Sequence, residues 1–247
     1  MSPTRLYIES NLSENSEFEL TGDRARYIGR VLRLAPDDEV TLFDGRGSEY
    51  PATILSIGKN SARLLISKCI LRNVESSLAI HLLQGLSRGE RMDIVMQKAT
   101  ELGVRRITPV ITEYSVVKLE PKRAEKRLQH WRSIGASACE QSGRNILPLV
   151  DAPQALRNWL GENFEVPGMR LILKPGGENS LRSVDKDVQQ VVLLIGPEGG
   201  FSDSEYELAK STGFCVIGFG PRILRTETAA MAAITALQTL YGDLARD

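Results

Sequence analysis

The chain has 247 residues, 42% of them hydrophobic and 25% charged, which suits one large soluble domain or two smaller ones and excludes disordered and collagen-like classes. Thirty-one Lys plus Arg balance 31 Asp plus Glu, so any polyanionic partner must be met by a local patch rather than by the charge of the whole molecule. No stretch approaches the roughly 18 apolar residues of a membrane span, and the start, MSPTRLYIES, lacks the apolar core of a signal peptide, so a cytoplasmic protein is expected.

The first part of the chain reads as closely spaced strands. "RLYIE" is followed by a helix over "DRARYIGRVLRL", then by strands in "EVTLFDG", "SEYPATILSI" and "SARLLISKCI", with DGRG and GKNS as turns. This grammar predicts an antiparallel sheet or small barrel. Near "RNVESS" it changes. "LAIHLLQGL", "RRITPVI", "MRLILK", "QVVLLIG" and "FCVIGFG" are strands, most of them separated by helices, as in an α/β unit with a largely parallel sheet. In "ERMDIVMQKATELG" the residues Met92, Val95, Met96, Ala99 and Leu102 share a face and Gly103 supplies the stop. A second helix starts at Pro121 and carries Ala124, Leu128, Trp131 and Ala138 inward. In "SDSEYELAKSTG", Ser202 and Glu205 have the spacing of a capping box, and Gly213 ends the helix.

Three segments share one format, an apolar strand running straight into a glycine-rich bend: "LILKPGGENS", "LLIGPEGGFS" and "CVIGFGPRILRTET". In open α/β sheets ligands gather beyond the carboxyl ends of the strands, so neighbouring strands of this kind would line one pocket. Gly177, Gly200 and Gly218 serve either turn geometry or the close approach of a ligand to backbone. The chain has no GxxxxGK[ST] and no GxGxxG after its first strand, which disfavours a nucleoside triphosphate or dinucleotide. His81 and His130 lie far apart without HExxH or cysteine partners, so no metal site is expected. Cys69, Cys139 and Cys215 lack CxxC spacing and are expected to be reduced, buried and inert. The remaining chemistry sits in "GPRILRTETAA", where Arg222, Arg225 and Glu227 stand beside the hydroxyls of Thr226 and Thr228, ahead of an alanine-rich helix.

"LLIGPEGGFSDSEYELA" and "GFGPRILRTETAAMAAITAL", preceded by "MQKATELGVRRITPVITEYSVV" and "EQSGRNILP", resemble the RsmE family of ribosomal RNA uridine-N3 methyltransferases, members of the SPOUT superfamily. The resemblance spans most of residues 80 to 240 and, more loosely, "RYIGRVLRLAPDDEVTLFDGRGSEY". It implies an α/β fold in two parts, a PUA-like β-barrel over residues 1–72 that binds RNA and a SPOUT-type trefoil-knotted parallel-sheet domain over residues 73–247. It further implies S-adenosylmethionine as cofactor, 16S ribosomal RNA of the small subunit as substrate, and a homodimer. The cofactor would then contact Leu173 in the first bend and Gly196, Pro197, Glu198, Gly199 and Gly200 in the second. In the third it would meet Ile217, Gly218, Phe219 and Gly220, with Leu224 and Thr226. Phe219 stands where the family more often has leucine.

Arg225 and Glu227 are the catalytic candidates, Arg225 to stabilise the developing uridinate and Glu227 to orient Arg225 or accept the proton. The same pair would also serve as a structural ion pair closing the loop. For RNA, Arg26, Arg30 and Arg33 share a helical face at i, i+4 and i+7 with Arg24 nearby, and Arg88, Arg91, Arg144 and Arg222 are further candidates. Two other functions use the same fold: 2′-O-ribose methylation of RNA, and RNA binding without catalysis.

Overall fold

A computed structural model of the chain describes residues 4–115, 120–163, 167–177, 179–181 and 188–245. Glu178 of the first glycine bend, and Val116 and Val117 at the end of the "TEYSVV" motif, lie outside the described residues. The chain divides into two compact units, Met1–Glu75 with Cys139–Leu147, and Ser76–Ala138 with Pro148–Asp247.

In the first unit, β1 (Thr4–Tyr7), β2 (Ser16–Thr21), β3 (Glu39–Phe43), β4 (Ser48–Ile57) and β5 (Ser61–Ile66) form a sheet in the order β1-β3-β4-β5-β2, with β6 (Ile70–Leu71) paired to β4. All pairings are antiparallel except β1 with β3. In β5 the alternation is strict: Ala62, Leu64 and Ile66 point into a core with Leu6, Leu20, Leu42 and Ile54, while Arg63 and Leu65 face out. The DGRG turn between β3 and β4 needs glycine, since Gly45 and Gly47 have φ of +78° and +110°. Strand β2 was not anticipated; its alternating SEFELT pattern is the period-2 signal that would have found it.

The expected helix over 23–34 is shorter and differently wound. Helix α1 (Gly22–Arg26) passes into a π-helical turn, Tyr27–Val31, and Arg33 beyond it has φ +57°. Arg26, Arg30 and Arg33 are all exposed, but the α-helical row that would have aligned them is interrupted.

A buried polar cluster ties residues 139–147 into this unit. Arg144 and Glu75 form an ion pair with side chains only 4% and 5% exposed. The Arg5 guanidinium donates to Glu49 at 2.8 Å and also to Asn145. Glu140 accepts from the Tyr7 backbone N–H at 2.9 Å and from Arg24 at 2.6 Å. Arg144 is therefore a structural cation, which corrects its expected place on an RNA-facing surface. A buried guanidinium left without Glu75 would be strongly destabilising, and that explains why it is held inside. Arg24 likewise has an ionic partner within the fold.

The second unit contains a parallel sheet built from β7 (Ala79–Gly85), β8 (Arg106–Ile111), β9 (Leu149–Val150), β10 (Gln154–Ala155), β11 (Met169–Leu173), β12 (Gln190–Ile195) and β13 (Cys215–Ile217). The order is β10-β8-β7-β12-β11-β13, with β9 paired to β8. Helices cover both faces, which is why β12 reads as an unbroken apolar run. Its Val191, Leu193 and Ile195 pack on one face with α2 (Arg91–Glu101), α3 (Pro121–Ser142) and α6 (Thr226–Tyr241). Its Val192 and Leu194 pack on the other with α4 (Leu156–Glu162) and α5 (Asp203–Ser211). The expected stops are present: Gly103 has φ +82° after α2 and Gly213 has φ +88° after α5. The capping box forms at α5, with Ser202 and Glu205 each accepting from the other's backbone N–H.

Candidate active site

The three strands that run into glycine bends, β12, β11 and β13, are consecutive neighbours in the parallel sheet. Parallel pairing puts their carboxyl ends at one edge, and there the bends, the loop before α6 and the first turn of α6 enclose a cavity of about 480 Å³. That volume lies in the usual range for small-molecule sites, roughly 300–1,000 Å³. Its wall combines the glycine backbone of residues 196–200 with Leu173, Ile195, Phe201, Phe219 and Leu224, and charged groups from Arg91, Lys174, Glu198, Arg222, Arg225 and Glu227.

The glycines separate into two roles. Gly177 and Gly218 touch: a Cβ on either would stand 2.7 Å or less from the other's backbone, so these two exist to let the first and third bends pack together. Hydrogen bonds lock that contact, from the Gly218 N–H to the Asn179 carbonyl at 3.0 Å and from the Lys174 N–H to the Ile217 carbonyl at 3.0 Å. Gly200 and Gly220, with φ of +70° and +72°, instead have open space where a Cβ would be. Ile217 is fully buried in the core, and neither it nor Gly218 lines the cavity. Both stand behind the cavity wall and shape it from there.

Thr226 holds the second bend to α6. Its hydroxyl donates to the Gly196 carbonyl at 2.6 Å and accepts from the Gln84 side-chain amide at 2.9 Å. Gln84 is fully buried at the end of β7, and the adjacent Gly85 packs so tightly on Pro197 that a Cβ would overlap the proline ring. Neither residue was anticipated. A buried polar residue at a strand terminus followed by glycine was the available signal.

Glu227 does not pair with Arg225. Its nearest ionic partner is the Arg91 Nε, 4.0 Å from Oε2, and that same oxygen is buried without a hydrogen bond. Arg91 also forms an ion pair with Glu198. Burial opposes ionisation of Glu198, but its own N–H, the Arg88 N–H at 3.0 Å and the Arg91 guanidinium outweigh it, and the carboxyl lies below its ordinary value. Arg225, at the N-cap position of α6, is exposed on the cavity wall. Lys174, Phe201 and Tyr206 are further wall residues missed in sequence. Lys174 lies 4.6 Å from the Tyr206 ring centroid, and burial pushes the Tyr206 phenol up to about 12.

The other titratable candidates are structural. Burial, then the nearby Arg106 charge, pushes the His81 imidazole down to about 4; the ring sits edge-on to Trp159 and 2.8 Å from the Thr108 hydroxyl. His130 pairs with Asp93 at the surface. Among the described residues no group of three His, Cys, Asp or Glu is placed to hold a metal ion, and no helix is long and apolar enough to cross a membrane. Cys139 is buried, but Cys69 and Cys215 are exposed, contrary to expectation; Cys69 lies just before the two-residue β6 and Cys215 begins the edge strand β13.

Comparison with known proteins places this geometry. An RNA methyltransferase domain model matches residues 74–238 and an RNA methyltransferase PUA domain model matches residues 20–67. Ribosomal RNA small subunit methyltransferase E of Buchnera aphidicola from Acyrthosiphon pisum is 36% identical over 97% of this chain and 94% of its own length. The chain belongs to the ribosomal RNA small subunit methyltransferase E family. The family member from Bacillus subtilis is 29% identical over 97% of the chain and 99% of its own length. Among solved structures, a family member from Neisseria gonorrhoeae bound to S-adenosyl methionine superposes with a TM-score of 0.89, at 39% identity, over 98% of this chain and 99% of that one. A Legionella pneumophila protein described as a methyltransferase in complex with SAM superposes at 0.94, also at 39% identity, over 99% and 100%. The fold is accordingly SPOUT-type, with a PUA domain before an RNA methyltransferase domain typical of the family.

Proposed function

We propose that this chain uses S-adenosylmethionine to methylate N3 of a uridine in 16S ribosomal RNA of the small subunit, acting as a homodimer in the cytoplasm. In this reading residues 1–72 grip RNA and residues 73–247 carry the transfer. One observation carries it: three glycine bends converge on a single cavity whose wall also holds Arg225 and Glu227.

The cavity suits the cofactor chemically. Apolar side chains from Leu173, Ile195 and Leu224 match a flat heterocycle, and open backbone at Gly200 and Gly220 matches an extended ligand with polar ends. When bound, S-adenosylmethionine supplies an electrophilic methyl group. The residues of the chain do the rest. N3 of uridine carries a weakly acidic proton, so methylation requires that proton to leave while negative charge spreads over the neighbouring carbonyl oxygens. Arg225 donates to those oxygens, and the positive end of the α6 dipole adds to the same field. Glu227, on the same wall, accepts the N3 proton, with Arg91 offsetting the carboxylate charge. A placed base contributes typically about 10²- to 10⁴-fold. For RNA, Arg88 and Arg222 lie near the cavity, where Arg91 already pairs with Glu198, and Arg26, Arg30 and Arg33 are exposed on the first unit, where Arg24 and Arg144 are engaged.

The test separates binding from chemistry. Arg225→Ala and Glu227→Gln should each bind S-adenosylmethionine as the wild type does in calorimetry, yet transfer labelled methyl to small ribosomal subunits at least about tenfold more slowly. Full activity in both variants would remove them from the mechanism, and no cofactor binding by the wild type would remove the reading itself.

A further inference from the structure

We infer that the exposed face of residues 26–31 is a base-stacking surface for single-stranded RNA, with Tyr27 as the stacking side chain and Arg26 and Arg30 as its phosphate contacts. The inference rests on the RNA methyltransferase reading above and deepens it by naming the form of RNA and the group that holds it.

Burial divides this segment cleanly. Ala25 and Ile28 are buried in the core of the unit and Leu32 packs against it, whereas Arg26, Tyr27, Arg30 and Val31 are exposed. A tyrosine 38% exposed and a valine 65% exposed thus share this short segment with two exposed arginines. Such a mixture is poorly matched to water but well matched to an unpaired nucleotide, whose base offers a π face and whose phosphates offer charge. The backbone is unusual at the same place. The Leu32 N–H reaches back five residues to the Tyr27 carbonyl at 3.0 Å, the Leu34 N–H reaches Ile28 at 3.0 Å, and Arg33 between them has φ +57°. Short π-helical turns recur at functional sites, and a non-glycine residue in the left-handed region is held there only by its surroundings. The turn is also packed against the sheet: a Cβ on Gly29 would stand 2.9 Å from the Ile57 side chain. Asp23 pairs with Arg26 at an exposed position, so a phosphate can replace it at little cost.

The chemistry of the proposed reaction favours single strands. N3 lies on the Watson–Crick edge of uridine, so the target must be unpaired, and RNA around an unpaired base presents other bases free to stack. Duplex RNA offers phosphates but no open base face.

The experiment measures binding of labelled oligouridylate and of an RNA duplex of equal length to the full-length protein across a range of salt. Tyr27→Ala should weaken oligouridylate binding about tenfold, leave duplex binding unchanged, and leave the slope of log affinity against log salt unchanged. Tyr27→Phe should bind as the wild type, which separates stacking from misfolding. Arg30→Ala should instead reduce that slope by about 0.7, the value for one phosphate on a single strand. Equal affinity in Tyr27→Ala, equal losses on both RNAs, or a loss seen only with whole ribosomal subunits, which would indicate a protein contact, overturns the inference. Wild-type methyl transfer is measured alongside: its absence would overturn the proposed function, while the Tyr27 comparison judges the stacking surface alone.

Discussion

The candidate ligand surfaces of the two units are built in opposite ways. In the second, the cavity is framed by glycine bends whose backbones pack together, and its position follows from three adjacent parallel strands ending together. In the first, the candidate surface is made of side chains on a short, irregular helical turn, while of the expected arginines Arg144 is buried against Glu75 and Arg24 is paired with Glu140. A pocket for a small ligand needs exclusion of water and fixed geometry; a surface for a polyanion needs only reachable charge and an open ring. Changes in the second unit should therefore act steeply and on the cofactor, and changes in the first should act gently and on RNA.

The largest effect is expected at Gly218. In Gly218→Val the side chain has nowhere to go but into the Gly177 backbone, so the first and third bends must separate. Overpacking of this kind costs about 1–3 kcal/mol, and calorimetry should show roughly a hundredfold loss of S-adenosylmethionine affinity. Unchanged affinity would mean that the contact between the bends does not shape the site. Next comes pH. His81 titrates near 4 in the folded chain and near its ordinary 6.5 when unfolded, so the unfolded state binds the extra proton between those values. Stability is full above about pH 6.5 and falls as pH drops toward 4, by about 3 kcal/mol in all. Denaturant melts of the wild type against His81→Gln should show this part of the acid sensitivity removed in the variant.

Thr226→Val should cost about 1–3 kcal/mol, because the Gly196 carbonyl and the Gln84 amide each lose a buried partner. Thermal melting and cofactor titration should fall together, since the same hydroxyl holds the second bend to α6. The smallest change is Arg24→Ala. Its ion pair with Glu140 is 38% exposed on the arginine side, so stability should drop by less than about 1 kcal/mol and RNA affinity should stay the same. A clear loss of RNA binding would return Arg24 to the contact surface.

Sequence carried the pocket further than the surface, for physical reasons. Strand β12 announces itself as an apolar run, Ser202 and Glu205 announce the start of α5, and glycine clusters after strands announce backbone under compression. Which glycine serves which purpose was not legible. Gly218 meets Gly177 across some forty positions, a contact that no local pattern encodes. The partner of Glu227 is Arg91 on α2, for the same reason. Arginine is usually a surface residue, and the burial of Arg144 depends on Glu75, which the strand pattern leaves in a linker. The π-helical turn was invisible because Tyr27, Ile28 and Val31 suit an α-helix as well. A trefoil knot belongs to this class too, and only the family resemblance implied it.

The most direct test of the central claim is the identity of the modified nucleoside. Small ribosomal subunits from cells lacking this protein, incubated with it and labelled S-adenosylmethionine, should yield N3-methyluridine on digestion and mass spectrometry. A methyl group on ribose, or no methyl transfer despite tight cofactor binding, would leave the fold and family intact and contradict the function proposed for Arg225 and Glu227.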